Sequence, residues 1–128
     1  MSINDQAIAG IILLAIGGVA MTYCSPARAH KAPSGWEYAK DCCSNEDCSE
    51  LPSSAVRLSE AGYVVTVTPE MNNQIKAPRT YVISYKATGL RESKDGKYHI
   101  CLRPEYANNA GEIFGGGVIC FYIPPQSF

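Results

Sequence analysis

Asp41-Cys42-Cys43-Ser44-Asn45-Glu46-Asp47-Cys48 sets three thiols close together, and Cys101 and Cys120 answer them far along the chain. No other stretch ties distant parts of the sequence together so directly. A chain of 128 residues makes one domain. A domain near 100 residues buries only about two-thirds of the surface of its unfolded chain, so cross-links matter to its stability. Six cysteines in such a chain read first as a disulfide framework.

Toward the amino terminus, residues 6–27 carry no charge, and 7–21 read Ala-Ile-Ala-Gly-Ile-Ile-Leu-Leu-Ala-Ile-Gly-Gly-Val-Ala-Met. Ala27-Arg28-Ala29 then offers small residues where a signal peptidase inspects the chain. Residues 1–29 therefore read as a secretory signal cleaved before His30. An uncleaved membrane anchor is the alternative. Asp5 precedes the apolar run, whereas Arg28, Lys31 and Lys40 follow it, and the run is long enough to span. A lipoprotein reading at Cys24 is opposed by the bulky Tyr23 before it. Cleavage would remove Cys24 and leave five cysteines, an odd number.

Residues 30–35 (His-Lys-Ala-Pro-Ser-Gly) read as a linker, and 36–128 as a single small β-rich domain. Trp36 and Tyr38 are expected to lie over the domain's edge and anchor the cysteine segment. Residues 41–50 are too short and polar for a periodic element, so the three cysteines are placed on a loop or a single helical turn. Beyond it, Tyr63, Val65 and Val67 alternate with Val64, Thr66 and Thr68, the period of a strand. Residues 80–86 repeat the pattern, 97–103 follow the turn signal Asp95-Gly96, and 118–123 form the most apolar run before Pro124-Pro125. The expected fold class is mainly β: a small antiparallel sheet or partly rolled barrel, disulfide-stabilised, with an apolar helical segment at the amino terminus.

The pair that best fits this scheme is Cys101 with Cys120, facing each other on antiparallel strands. That register sets Tyr98 against Ile123 and Arg103 against Val118, with 105–117 as the connecting loop, and the bridge would add about 3 kcal/mol. A bond between adjacent Cys42 and Cys43 would strain the peptide, so Cys48 is expected to bond Cys42 or Cys43, while one of these two reaching the sheet instead is an equally open reading. A metal site is the alternative use of these residues. His99 and Cys101, two apart on a strand, project from one face. With Cys42, Cys43 and Cys48 they make a sulfur-rich ligand set. The missing C-x₂-C knuckle and an exported location favour oxidation instead, and without C-x-x-C the usual oxidoreductase helix is missing.

Composition and motifs exclude more than they assign. Net charge is −1, with 11 basic and 12 acidic residues and no basic stripe, which speaks against nucleic acid. His30 and His99 are the two histidines, and no G-x-S-x-G elbow, phosphate loop or H-E-x-x-H helix occurs. No catalytic residue and no cofactor are therefore expected. Glu46, Asp47 and Glu50 read as a solvated acidic loop.

Several blocks in order carry a likeness. Trp36-Glu37-Tyr38, Cys42-Cys43-Ser44, Asp47-Cys48, Ser93-Lys94-Asp95-Gly96-Lys97-Tyr98-His99-Ile100-Cys101 and Ile119-Cys120-Phe121-Tyr122-Ile123-Pro124-Pro125-Gln126-Ser127 resemble a group of small exported cysteine-containing proteins of alphaproteobacteria and their phages. The resemblance implies export and one compact cysteine-containing domain, and it lends no catalytic residue. The loop between Cys101 and Cys120 and the acidic amino terminus depart from it.

These readings converge on a non-enzymatic envelope protein, periplasmic or secreted, that binds a protein partner whose identity stays open. Its expected contact surfaces are exposed tyrosines and the loop Ala107-Asn108-Asn109-Ala110-Gly111. A thiol and histidine metal carrier, and a membrane-anchored structural or phage-assembly component held by 1–29, are the rival classes.

Overall fold

The computed structural model describes residues 30–43 and 47–126. The expected export or anchor segment at 1–29, Cys24 included, lies outside them. Among the described residues the chain is mainly β, with nine short strands. They are β1 (Cys48–Leu51), β2 (Val56–Ser59), β3 (Gly62–Val67), β4 (Arg79–Ile83), β5 (Leu90–Glu92), β6 (Tyr98–Leu102), β7 (Tyr106–Ala107), β8 (Ile113–Phe114) and β9 (Val118–Ile123). One sheet runs β1-β6-β9-β5, a second β2-β3-β4, and β7 with β8 makes a separate ribbon.

The alternation read from the sequence decides which side chains meet. Tyr63, Val65 and Val67 of β3 and Ile83 of β4 pack against Leu51, Ile100, Leu102, Phe121 and Ile123 of the four-stranded sheet. Phe121 sits at the centre, fully buried, with Tyr63 edge-on at 5.4 Å and Tyr98 stacked at 5.8 Å. Burying side chains of this size is the main force holding the two sheets together.

Four expectations are corrected. The two larger sheets keep separate edges instead of forming one antiparallel sheet or a partly rolled barrel, and β5 runs parallel to β9. Tight turns at 84–90, in which Ser84 O accepts the Ala87 N–H and Ala87 O accepts the Leu90 N–H, carry the chain across to the other sheet. Since β5 and β6 lie on opposite sides of β9, Asp95-Gly96 turns a crossover and not a hairpin. Residues 41–50 are not all loop, because Cys48–Leu51 forms β1 on the free edge of β6. Residues 30–35 are not a linker. Lys31 bridges Glu37, Ala32 is buried, and the segment begins an arm lying on the outer face of the four-stranded sheet.

Strand β1 explains the cysteine pairing. Cys101 and Cys120 do stand opposite each other on β6 and β9, but Cys48 stands opposite Cys101 on its other side. The bridges are Cys48–Cys101 and Cys42–Cys120, not Cys101–Cys120 and Cys48 with Cys42 or Cys43, and the adjacent pair sends Cys42 to the sheet, the other reading left open. A one-residue bulge sets Val118 against Leu102, while Arg103 donates its N–H to Gly117 O, one place from the expected register.

Candidate functional site

The outer face of the four-stranded sheet presents Cys48, Cys101 and Cys120 in one row across β1, β6 and β9, with His99 and Tyr122 opposite each other in the next. The arm at 30–43 covers this face. Ala32, Tyr38, Cys42 and Cys43 join the row in a second buried cluster, flanked by Trp36, Ala39 and Ile119. Trp36 meets Tyr38, His99 and Tyr122 edge-on at 4.8, 5.2 and 5.2 Å. The arm is pinned by the Cys42–Cys120 bridge, by the Ala39 N–H donating to Tyr122 Oη at 3.0 Å, and by Arg91 pairing with Asp41 at 3.1 Å.

Beneath the arm runs a polar relay. Asp95 Oδ1 lies 2.9 Å from His99 Nε2, and His99 Nδ1 lies 2.9 Å from Tyr38 Oη. One proton arrangement satisfies every partner: His99 donates to the carboxylate, and the phenol donates to His99. Ser34 Oγ donates to Asp95 Oδ2, and the Lys97 N–H donates to Oδ1. The buried Trp36 Nε1–H faces this carboxylate without closing a hydrogen bond among the described residues. Burial alone would raise the Asp95 carboxyl. Donors from Ser34, His99 and the Lys97 backbone, with the Trp36 N–H turned toward the carboxylate, outweigh it and hold the group well below the usual carboxylate range. Burial chiefly pushes the Tyr38 phenol up, so it stays protonated. His99 is fully buried, and through it the relay ties Tyr38 of the arm to Asp95 on the approach to β6.

That fastening depends on pH. Because the folded Asp95 titrates lower than the unfolded residue, its contribution is fully present above the unfolded value near 3.8 and lost as pH falls through the folded one. Thermal midpoints measured from pH 7 to pH 2 are expected to fall below about pH 4. Asp95→Asn is expected to cost about 1.5 kcal/mol at neutral pH and to flatten that acid decline. An unchanged acid slope in the variant would remove Asp95 from the account.

The sulfur and histidine residues proposed as metal ligands do gather on this face, though not as a ligand set. Cys42, Cys48 and Cys101 are spent in bridges, and both His99 nitrogens are hydrogen-bonded. Cys43 lies outside both bridges. It is buried, donates its S–H to Asp47 Oδ1 at 3.0 Å, and has a thiol pushed up first by burial and then by that carboxylate. Cys43 Sγ, an Asp47 oxygen and Cys48 Sγ all lie within 4.8 Å of one another. Asp47, read as part of a solvated acidic loop, is buried.

A second feature stands apart from the arm. The β7–β8 ribbon carries exposed Tyr106, Ile113 and Phe114, with Tyr106 stacked on Phe114 at 5.6 Å. Its tip is tied together by Asn108. The side-chain oxygen accepts the Ala110 and Glu112 N–H groups, and the side-chain nitrogen donates to Glu112 at 2.6 Å. At its base, buried Glu105 pairs with Arg79 and accepts the Lys76 N–H, while Tyr81 Oη donates to Gly116 O at 2.6 Å. Gly115 has φ +83, and a Cβ there would meet Pro104 O at 1.9 Å, so only glycine lets the ribbon leave the sheet at this angle. Sequence reading named the tip and the tyrosines as contact surface. Tyr85 and Tyr106 are exposed, but Tyr38, Tyr63 and Tyr122 are buried. It missed Ile113 and Phe114, whose signal would have been apolar residues on both sides of an Asn-rich turn.

Two bridges in a small domain are the chemistry of an oxidising compartment. Among the described residues no helix is long and apolar enough to cross a membrane. Compared with known proteins, the chain matches no family model, no curated relative and no solved structure.

Proposed function

We propose that the chain is a non-catalytic envelope protein that binds a protein partner through the β7–β8 ribbon. The observation that carries this is the exposure of Tyr106, Ile113 and Phe114, 62, 53 and 43%, on a ribbon pinned at tip and base. Exposed aromatic side chains on a fixed backbone lose little freedom on binding and bury much apolar area, the character of an interface anchor. The bridges and the export reading of 1–29 support the compartment. The rest of the fold holds the ribbon still.

The double substitution Tyr106→Ser with Phe114→Ser tests this. Both residues are solvent-exposed, so the fold is expected to keep its stability within about 0.5 kcal/mol. A photo-crosslinking residue at Asn109 of the otherwise native chain is expected to yield one discrete adduct in the envelope. The double variant is expected to lose that adduct. An adduct that survives the double substitution, or none in the native chain, would defeat the proposal.

A further inference from the structure

Resting on the β7–β8 ribbon as the binding surface, we propose that its protein partner is acidic where it meets the base of the ribbon. Partner carboxylates pair there with Arg103 and Lys76, while an apolar surface covers Tyr106, Ile113 and Phe114.

The backbone brings the cations together. Arg103 donates its N–H to Gly117 O and accepts the Gly116 N–H at its own carbonyl. A Cβ at Gly117 would lie 3.8 Å from Arg103 Nη1, and one at Gly116 would lie 3.2 Å from Arg79 Cζ. Two guanidinium groups therefore lie along two successive glycines, which carry no side chain to cover them. Arg79 is spent on buried Glu105, and Glu105 also accepts the Lys76 N–H at 2.8 Å, which holds Lys76 at the same place. One carboxylate thus answers one guanidinium. Arg103 and Lys76 are exposed, and neither has an ion pair among the described residues. Three residues of extended chain span at most about 10 Å, so Arg103 stands within that reach of Tyr106.

The far end of the ribbon has the opposite sign. Glu112 is exposed at the tip, fixed by the Asn108 amide at 2.6 Å. Between the ends, Tyr106 faces Phe114 and Ala107 faces Ile113. The order is positive, apolar, negative. A partner whose acidic groups match the base docks in one direction, because the reversed pose sets those groups against Glu112. The apolar middle supplies affinity, and the charges steer encounter and fix register. An anionic membrane fits less well, since the tip that would enter first carries Asn108, Asn109 and Glu112.

Two matched peptides test the sign. Both have the same apolar centre, one flanked by glutamates and the other by lysines, and each is titrated into the oxidised, isotope-labelled full chain. The glutamate peptide is expected to shift amide resonances across 103–117 and to bind at least about tenfold more tightly than the lysine peptide at low salt. Raising salt from about 0.05 to about 0.5 M is expected to erase most of that difference. Lys76→Glu with Arg103→Glu is expected to invert the preference, and Lys76→Arg with Arg103→Lys to keep it. Equal binding of the two peptides, or a preference that survives charge reversal, would overturn the proposal. Phosphatidylglycerol vesicles that bind through the ribbon while neither peptide does would replace the protein partner with a lipid surface. The crosslink from Asn109 separates the two readings. An adduct lost in the Tyr106→Ser, Phe114→Ser chain but undiminished in the charge-reversed chain keeps the ribbon and rejects the acidic partner. No adduct in the native chain rejects both.

Discussion

Reduction of both bridges at neutral pH is expected to unfold the domain. The bridges are nested, Cys48–Cys101 lying inside the loop closed by Cys42–Cys120, with sequence separations of 53 and 78. Closing the inner loop removes about 4 kcal/mol of chain entropy from the unfolded state. The outer bridge then closes a much shorter remaining loop and adds about 3 kcal/mol. Domains of this size have total stabilities of about 5–15 kcal/mol, so losing both bridges takes most or all of it. The loss also lands on a weak point. The arm has no regular element of its own beyond the Lys31–Glu37 bridge, and without Cys42–Cys120 it depends on the aromatic cluster and the Asp95 relay. The fluorescence of Trp36, the one tryptophan of the chain, reports the arm, and far-ultraviolet dichroism reports the sheets. Both signals are expected to collapse in reductant and return on reoxidation. A reduced protein that keeps a cooperative thermal transition near the oxidised midpoint would show the bridges to be ornamental to stability.

The parts of this architecture that were legible in the sequence are those governed by period and punctuation. Alternation placed β3, β4, β6 and β9 within a few residues, and it put Cys101 opposite Cys120 and His99 beside Cys101 on one face. The errors have one origin. Strand β1 is four residues, Cys-Ser-Glu-Leu, with Ser49 and Glu50 half-buried. It is a strand because β6 offers an unpaired edge and Cys101 a bonding partner, and neither condition is written in those four residues. Once β1 is missed, Cys101 lacks its true partner and the nearest alternative is Cys120. The arm failed for a related reason. Pro, Ser and Gly in 30–35 read as linker, yet Ala32 is buried because Trp36 and Tyr38 draw the segment onto the sheet. Asp95 was read for its turn, while its second task, orienting His99 four residues on, depends on the turn closing over the sheet. Missed short strands and a misjudged surface segment are failures of non-local information, the kind that tertiary contacts supply.

Adjacent residues on β9 separate the two layers energetically, and that gives the second large effect. Phe121 points between the sheets and is fully buried among Tyr63, Tyr98 and Ile100, whereas Tyr122 points the other way under the arm. Phe121→Ala is expected to cost about 4 kcal/mol, since it removes a central aromatic side chain and leaves a cavity that strands on both sides are too constrained to fill. Tyr122→Phe removes only the hydroxyl that accepts the Ala39 N–H at 3.0 Å, an expected loss of about 1 kcal/mol. The decisive comparison is of location rather than size. Hydrogen exchange in Phe121→Ala is expected to accelerate in β3, β6 and β9 together, because the two sheets share one core. In Tyr122→Phe it is expected to accelerate in 30–43 alone and leave the sheets protected. If Tyr122→Phe loosened β3 as much as the arm, arm and sandwich would be one cooperative unit. Independent loosening of the arm is the outcome expected of a segment held to the outer face by one bridge and a few polar contacts, over strands whose inner faces share a separate core.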